Sequence, residues 1–473
     1  MLEKFAFISL LIVVAVSSGF AGQNKTEINI EGIWKGPLKI GQSEQRLIVY
    51  LSMDSDGTMK AIIDSPDEGV KGITVEGVKY ENDVLILEIE ETKNYKGKLS
   101  EDGTRIEGKL TTSRMQIPLT LERTGEAYPS TRPQDPQKPY PYITEDVYFE
   151  NRKAKVKLAG TLTIPKGKGP FPSALLISGT GQHDRNSAMM DHRPFLVLAD
   201  HLTCMGIAVL RYDDRGAGYS TGLFSKATTK DFAEDAIAGI TYLRSRAKID
   251  HDLIGLVGHS EGSVVATMVA ARLQNIAYVV MLSGMGISGD LTLIRQTEAI
   301  AKASGIDKEI IGVNISLQEK IYAVLKNNSN HQTLKKKLRN IYLSQVSALG
   351  QGINEEMELQ IQEHISQVTS PWFLYFVNYD PQSDLAEAKC PLLILFGEKD
   401  LQTPPQCHVP AIKQALRSNG HSQTTVKIMP GLNHLFQDAE TGLISEYNKI
   451  SETISPSVLQ LIGEWILRKS RSL

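Results

Sequence analysis

From residue 143 onward the chain repeats one pattern: a short, mostly apolar run, a turn, then an amphipathic helix. The runs are "SALLISG" (173–179), "IAVLRYD" (207–213), "LIGLVGH" (253–259), "AYVVMLSG" (277–284), "PLLILFG" (391–397) and "TVKIMP" (425–430). A strand that is apolar on every residue is covered on both faces, and strands that alternate with helices run mostly parallel. With the lead-in hairpin "EDVYFEN" and "VKLAGTLTIP", this predicts an α/β fold around a mostly parallel eight-stranded sheet over 143–473. The interval 285–390 is too long for a loop and carries helical patterns such as "LQEKIYAVLKN" and "MELQIQEHISQV", so it reads as a helical cap inserted between two strands.

The rest of the chain divides by composition. Residues 25–124 hold short β-branched segments separated by turn signals such as "YEND" and "SEDG", which predicts a small all-β barrel or sandwich. Its Trp34, in "GIWKG", reads as a core anchor. Residues 125–142 carry Pro129, Pro133, Pro136, Pro139 and Pro141, a density that suits a semi-rigid linker. Residues 1–21 have a lysine, an apolar run and small residues before a cleavage point, as a secretory signal does, so the expectation is an exported, periplasmic or secreted protein with no stable membrane insertion after cleavage. The net charge of −3 supplies no basic field for nucleic acid. No Cys/His spacing suits a metal, and Cys390 and Cys407 flank a strand too long for a disulfide to span.

The chemistry is carried by "GHSEG", residues 258–262, between an apolar strand and an apolar helix. A turn that tight needs glycines around an exposed serine, and the helix that follows aims its N–H groups at charge developing there. A serine hydroxyl needs a base, and the base needs an orienting acid. Asp400, after "LLILFGEK", and His434, in "GLNHLF", both follow a buried strand, so Ser260, Asp400 and His434 reach the same sheet edge. Glu398 is the rival acid, and Asp438 reads as a turn residue. The oxyanion donors are expected to be the backbone N–H groups of Glu261 and Thr180, with Gly181 as the alternative to Thr180 in "SGTGQHDRN". "RYDDRGAGYSTG" (211–222) reads as a structural loop in which Asp214 and Arg215 lock a turn beneath the site. In the cap, "PWFLYFVNY" offers Trp372, Phe373 and Phe376 for an apolar acyl pocket, or for packing the cap onto the sheet.

Taken in order, "SGTGQHDRN", "YDDRGAGYS", "GHSEG", "SPWFLYFVNYDP", "PLLILFGEKD" and "GLNHLF" resemble bacterial carboxylesterases of the α/β-hydrolase superfamily, in the branch with monoacylglycerol-lipase-like and serine-aminopeptidase-like hydrolases. The resemblance covers about residues 143–473. It implies a cofactor-free serine hydrolase acting on a small-molecule ester, with Ser260 as nucleophile, Asp400 as acid and His434 as base. The short to medium length expected of the acyl group comes from the aromatic residues of the cap, not from the resemblance. Many members carry His-Gly where this chain has Ser178-Gly179. A peptidase or amidase on the same triad is the alternative, and a non-catalytic binding protein with a relic triad is the alternative from another class. The N-terminal β domain resembles extra domains on secreted members and is left as a module for an unidentified ligand or partner.

Overall fold

The computed structural model describes residues 30–470 apart from 41–42, 55–57, 66–69, 91–92, 113–115, 125–131, 328–330 and 349–353. The signal segment 1–21 lies outside the described residues. Two compact units are present.

The first unit is built from β1 (Gly32–Ile40), β2 (Ser43–Met53), β3 (Met59–Ser65), β4 (Val70–Thr74), β5 (Gly77–Glu81), β6 (Val84–Glu90), β7 (Lys93–Leu99), β8 (Arg105–Thr111) and β9 (Gln116–Thr124). They form one antiparallel sheet in the order β4-β3-β2-β1-β9-β8-β7-β6-β5. β4 and β5 belong to one bent segment. Val75 N–H donates to Ala61 of β3 at 3.3 Å, and Glu76 N–H donates to Glu88 of β6 at 2.7 Å, so this segment joins the two ends of the sheet. Burial alternates along the strands, with Ile117, Leu119 and Leu121 inside and Pro118 and Thr120 outside. Trp34 is fully buried and donates its indole N–H to Ile30 O at 2.9 Å. Tyr95 places its hydroxyl on Ile106 O at 3.0 Å, so the polar tips of both aromatic anchors are satisfied inside an apolar core.

The second unit begins at Arg132. The second half of the proline-rich stretch is therefore no free linker. Its prolines keep it out of the sheet, but its polar side chains fasten it down. Arg132 donates to Asn448 O and Ile450 O at 3.0 Å each, Gln134 donates to Ile454 O at 2.7 Å, and Asp135 pairs with Arg193 at 2.6 Å.

The strands of this unit are β10 (Ile143–Asn151), β11 (Val156–Ile164), β12 (Phe171–Ile177), β13 (Ala208–Tyr212), β14 (Ile249–His259), β15 (Val279–Leu282), β16 (Leu392–Gly397) and β17 (Thr424–Met429). They form an eight-stranded sheet in the order β10-β11-β13-β12-β14-β15-β16-β17. β10 and β11 make the antiparallel lead-in, and from β13 onward the pairs are parallel. The crossovers are α1 (Pro194–Cys204), α2 (Thr229–Arg244) and α3 (Glu261–Arg272). α2 starts where the sequence provides a capping box: the Thr228 side chain accepts from Asp231 N–H while the Asp231 carboxylate accepts from Thr228 N–H.

Between β15 and β16 stands the helical cap: α4 (Gly289–Ala303), α5 (Lys308–Lys326), α6 (His331–Ala348), α7 (Glu355–Val368), α8 (Pro371–Asn378) and α9 (Gln382–Glu387). α10 (Pro405–Ser418) and α11 (Pro456–Ser470) complete the layers. The central strands are buried on both faces, as their unbroken apolar runs require. Leu176, Val209, Val257, Val280 and Leu395 share one core with Leu198, Ile462 and Trp465 of α1 and α11. Each buried Leu or Ile stabilises such a core by roughly 1.5–3 kcal/mol. Cys204, Cys390 and Cys407 are unpaired.

Candidate active site

The strand order fixes where the site lies. β12 sits between β13 and β14, and the chain leaves it toward β13 before crossing back to β14, so the loops after β12 and β14 open a crevice at the carboxyl edge. Ser260 follows the last residue of β14, and its N–H donates to Leu282 O of β15 at 2.8 Å. Its backbone is held at φ 54°, ψ −119°, a conformation that costs a serine about 1–3 kcal/mol and persists only when its surroundings impose it. The two glycines explain how. A Cβ on Gly258 would lie 2.1 Å from Gly262 O, and one on Gly262 would lie 2.1 Å from Ile177 O. Neither position has room for a methyl group. Gly262→Ala is therefore expected to cost more than about 3 kcal/mol or to abolish soluble expression, measurable by urea unfolding.

Asp400 and His434 arrive as predicted, three and five residues beyond the paired ends of β16 and β17. His434 Nδ1 lies 2.9 Å from both Asp400 oxygens. Oδ1 also accepts from Gln402 N–H at 2.9 Å and Thr403 N–H at 2.8 Å, and Oδ2 accepts from the Thr403 hydroxyl at 2.8 Å. Burial alone would push this carboxyl up. The adjoining His434 charge and hydrogen bond, with the Thr403 N–H, outweigh it and hold Asp400 below its ordinary value. A carboxylate can only accept, so the imidazole proton sits on Nδ1 and Nε2 keeps its lone pair. Glu398, the rival acid, instead accepts from Gly431 N–H at 2.9 Å. Asp438 pairs through its backbone with Leu432, as a turn residue does.

The histidine loop is shaped by Asn433, whose side-chain oxygen accepts from Leu435 and Gln437 N–H at 3.0 Å each. His259, next to the serine, donates Nε2–H to His434 O at 3.0 Å, and the two rings lie 4.8 Å apart. Burial, then the neighbouring His434 charge, lower His259 to about 3, so it is a neutral prop for the His434 loop. Among the described residues no hydrogen bond joins the Ser260 hydroxyl to His434. Such bonds often close only in the substrate complex.

The loop after β12 rises beside the serine because Ile177 pairs with Gly258. A Cβ on Gly179 would lie 3.2 Å from Ser260 Cβ. Asp214 clamps this loop at both ends: Ser178 Oγ–H donates to Oδ1 at 2.7 Å, and His183 N–H donates to Oδ2 at 2.8 Å. Asp213 holds Arg185 at 2.7 Å, and Arg215 pairs with both oxygens of Asp235 at 2.8 Å. The 211–222 loop is thus structural, and its particular task is to fix the loop above it. Thr180, within that clamp, makes no backbone N–H hydrogen bond among the described residues, and neither does Glu261.

Burial raises Asp214 to about 8 against the pull of its two hydrogen bonds. The folded state then keeps a proton that the unfolded chain, with a carboxyl near 4, gives up. Stability from this group is greatest at the acid end and declines as pH rises from about 4 to about 8. Asp214→Asn should flatten that slope, as read by urea unfolding at pH 5 and pH 8.

Residues 190–359 match the family described as serine aminopeptidase, S33. The chain is also 23% identical to esterase EstD of Thermotoga maritima over 354 residues, covering 74% of this chain and 76% of that one. The second unit has the α/β-hydrolase fold. A 144-residue segment of this hydrolase is 25% identical to acyl-coenzyme A thioesterase 5 of Mus musculus, covering 30% of this chain and 31% of that protein. Among solved structures, the Pyrococcus furiosus esterase Pf2001 is 16% identical, with a TM-score of 0.42 over 69% of this chain and 91% of that one.

The cap brings one aromatic residue to Glu261, the residue after the serine. α8 starts on Ser370, whose hydroxyl accepts from Phe373 N–H, with Pro371 at the first helical position. Trp372 donates its indole N–H to the Glu261 carboxyl at 2.8 Å. It stacks on Phe376 at 4.9 Å. Phe373 is buried and meets Tyr322 of α5 at 6.0 Å. Trp372 is thus at the site, whereas Phe373 packs the cap. Two roles have no counterpart in the sequence analysis, the Thr403 support of Asp400 and the His259 prop, and the Asp214 lock appears there without its partners Ser178 and His183. Asp214 and Thr403 stand out only as loop residues after strands. His259 has no sequence signal beyond its place beside the serine.

Proposed function

We propose that the protein hydrolyses carboxylic esters with a short to medium acyl group through an acyl-enzyme on Ser260. The observation that carries this reading is a serine strained to φ 54° at the head of a helix, on the sheet edge that also holds a bonded Asp400–His434 pair. Ser260 Oγ attacks the ester carbonyl carbon while His434 Nε2 takes its proton. Asp400 holds the Nδ1–H and offsets the imidazolium charge. The backbone N–H groups of Thr180 and Glu261 donate to the oxyanion. Collapse breaks the carbonyl–oxygen bond, and the alcohol leaves with the proton from His434. Water then attacks the acyl-enzyme by the same route, releasing the acid and restoring the serine.

The relative named as an esterase supports the ester as substrate class. Trp372, bonded to the residue after the serine and stacked on Phe376, supports an apolar acyl group. The test is a p-nitrophenyl ester series from acetate to decanoate, run beside aminoacyl p-nitroanilides and with an S260A control. The expected result is saturable ester cleavage with kcat/KM highest among the short to medium chains. Cleavage of the anilides alone would favour the peptidase reading, to which the matched family's description points. No turnover and no labelling of Ser260 by a fluorophosphonate would leave the relic reading.

A further inference from the structure

Glu261 is a buried carboxyl adjoining Ser260 that the mechanism above leaves unused. Burying a carboxyl is costly unless it is well paired, and an apolar side chain fills such a position at lower cost. Its surroundings indicate what it does. Oε1 accepts from the Thr229 hydroxyl of α2 at 2.6 Å and from the Trp372 indole N–H of the cap helix α8 at 2.8 Å. Oε2 is buried with no hydrogen-bond partner among the described residues. The Thr180 side chain, from the loop after β12, faces the same carboxyl closely enough to influence its titration. One carboxyl therefore meets three elements: the helix α2, the cap, and the loop that supplies an oxyanion donor. Trp372 in turn stacks on Phe376 and lies edge-on to Phe373 at 6.0 Å, so its position is tied to the packing of the cap.

We propose that Glu261 is a positioning residue that couples the cap to the oxyanion side of the site. Trp372 fixes one carboxyl oxygen, and the other orients the Thr180 hydroxyl and, through it, the Thr180 backbone N–H. An acyl group pressing on Trp372 then reaches the oxyanion donors through this carboxyl. Burial raises the pKa of Glu261 against the pull of Thr229, Trp372 and Thr180. The coupling rests on the serine-hydrolase reading of Ser260, but not on the ester as substrate.

The test is the rate at which a fluorophosphonate phosphonylates Ser260, because that reaction loads the oxyanion site whatever the natural substrate. E261Q keeps an acceptor for Thr229 and Trp372 and offers N–H to Thr180, so it should label within about 3-fold of wild type, whereas E261A should slow labelling by about 30-fold. T180V deletes the hydroxyl but keeps the backbone N–H, and W372F deletes only the indole donor; each should slow labelling by about 10-fold. The coupling further requires non-additivity: E261A/T180V and E261A/W372F should label within about 3-fold of E261A alone. Thermal melts identify variants that fail to fold, and T180V and E261Q carry the test if E261A is one of them. Labelling of E261A or T180V at the wild-type rate overturns the coupling, as do additive losses, or a folded E261Q as slow as E261A. Wild type that labels but cleaves no ester overturns the ester reading alone.

Discussion

Ser260→Ala is expected to lower kcat on a short-chain ester by about 10⁵- to 10⁶-fold, leaving the residual rate that binding and oxyanion donors provide without a nucleophile. KM should change little, because among the described residues the hydroxyl makes no hydrogen bond whose loss would reshape the pocket. Stability should not fall. Alanine at φ 54° keeps the backbone strain, and the replacement removes a polar atom from a nearly closed site in which Ser260 is 8% exposed. Function and stability pull in opposite directions at such a position, so the melting temperature should hold or rise. Steady-state rates paired with a thermal melt check both halves. Retention of more than a thousandth of the wild-type kcat in a folded variant would remove Ser260 from the chemistry.

The fold and the three principal side chains could be read from the sequence for a common physical reason. A sheet buried on both faces leaves an apolar signature that polar contacts do not obscure: "PLLILFG" is β16 almost to the residue, and "LIGLVGH" is the last seven residues of β14. Once the strands are placed, their carboxyl ends are placed, and Ser260, Asp400 and His434 follow from counting. The glycines of "GHSEG" were legible because the reason for them is steric and local.

What stayed hidden depends on contacts distant in sequence. The Asp214 clamp joins residues 31 and 36 positions apart. The Glu261–Trp372 bond spans 111, and no periodicity encodes it. The anchoring of the proline-rich stretch from Arg132 onward is hidden for a related cause: prolines declare what a segment cannot join, while Arg132 and Gln134 find their partners more than 300 residues later.

Asp400→Asn should lower kcat by about 10⁴-fold while the protein stays folded. The reason lies in how donors and acceptors are distributed around this one side chain. In the native site Asp400 receives hydrogens from Gln402 N–H, Thr403 N–H, the Thr403 hydroxyl and His434 Nδ1. An asparagine oxygen can take the two backbone hydrogens, and the Thr403 hydroxyl can turn to accept from the amide. His434 Nδ1 would then face an N–H as well. The imidazole must give up its Nδ1 hydrogen and carry it on Nε2, where the serine needs a base. Asp400→Ala is a poorer test, because it strands three donors (the Thr403 hydroxyl keeps Ser283 O at 3.1 Å) at a cost of roughly 1–3 kcal/mol each and confounds chemistry with folding.

The pH dependence of stability gives a second readout. Asp400 is held below its ordinary value in the fold, so the stability it contributes is present above the unfolded carboxyl pKa of about 3.9 and fades as pH falls through its lower folded value. The stability difference between wild type and Asp400→Asn should accordingly shrink toward acid, as read by urea unfolding at pH 3 and pH 7. Glu398→Gln is the matched control. Its carboxylate serves Gly431 N–H and not the imidazole, so kcat should stay within about 3-fold of wild type, as for an exposed turn residue. A large loss in that variant, with Asp400→Asn still active, would transfer the acid's role from Asp400 to Glu398.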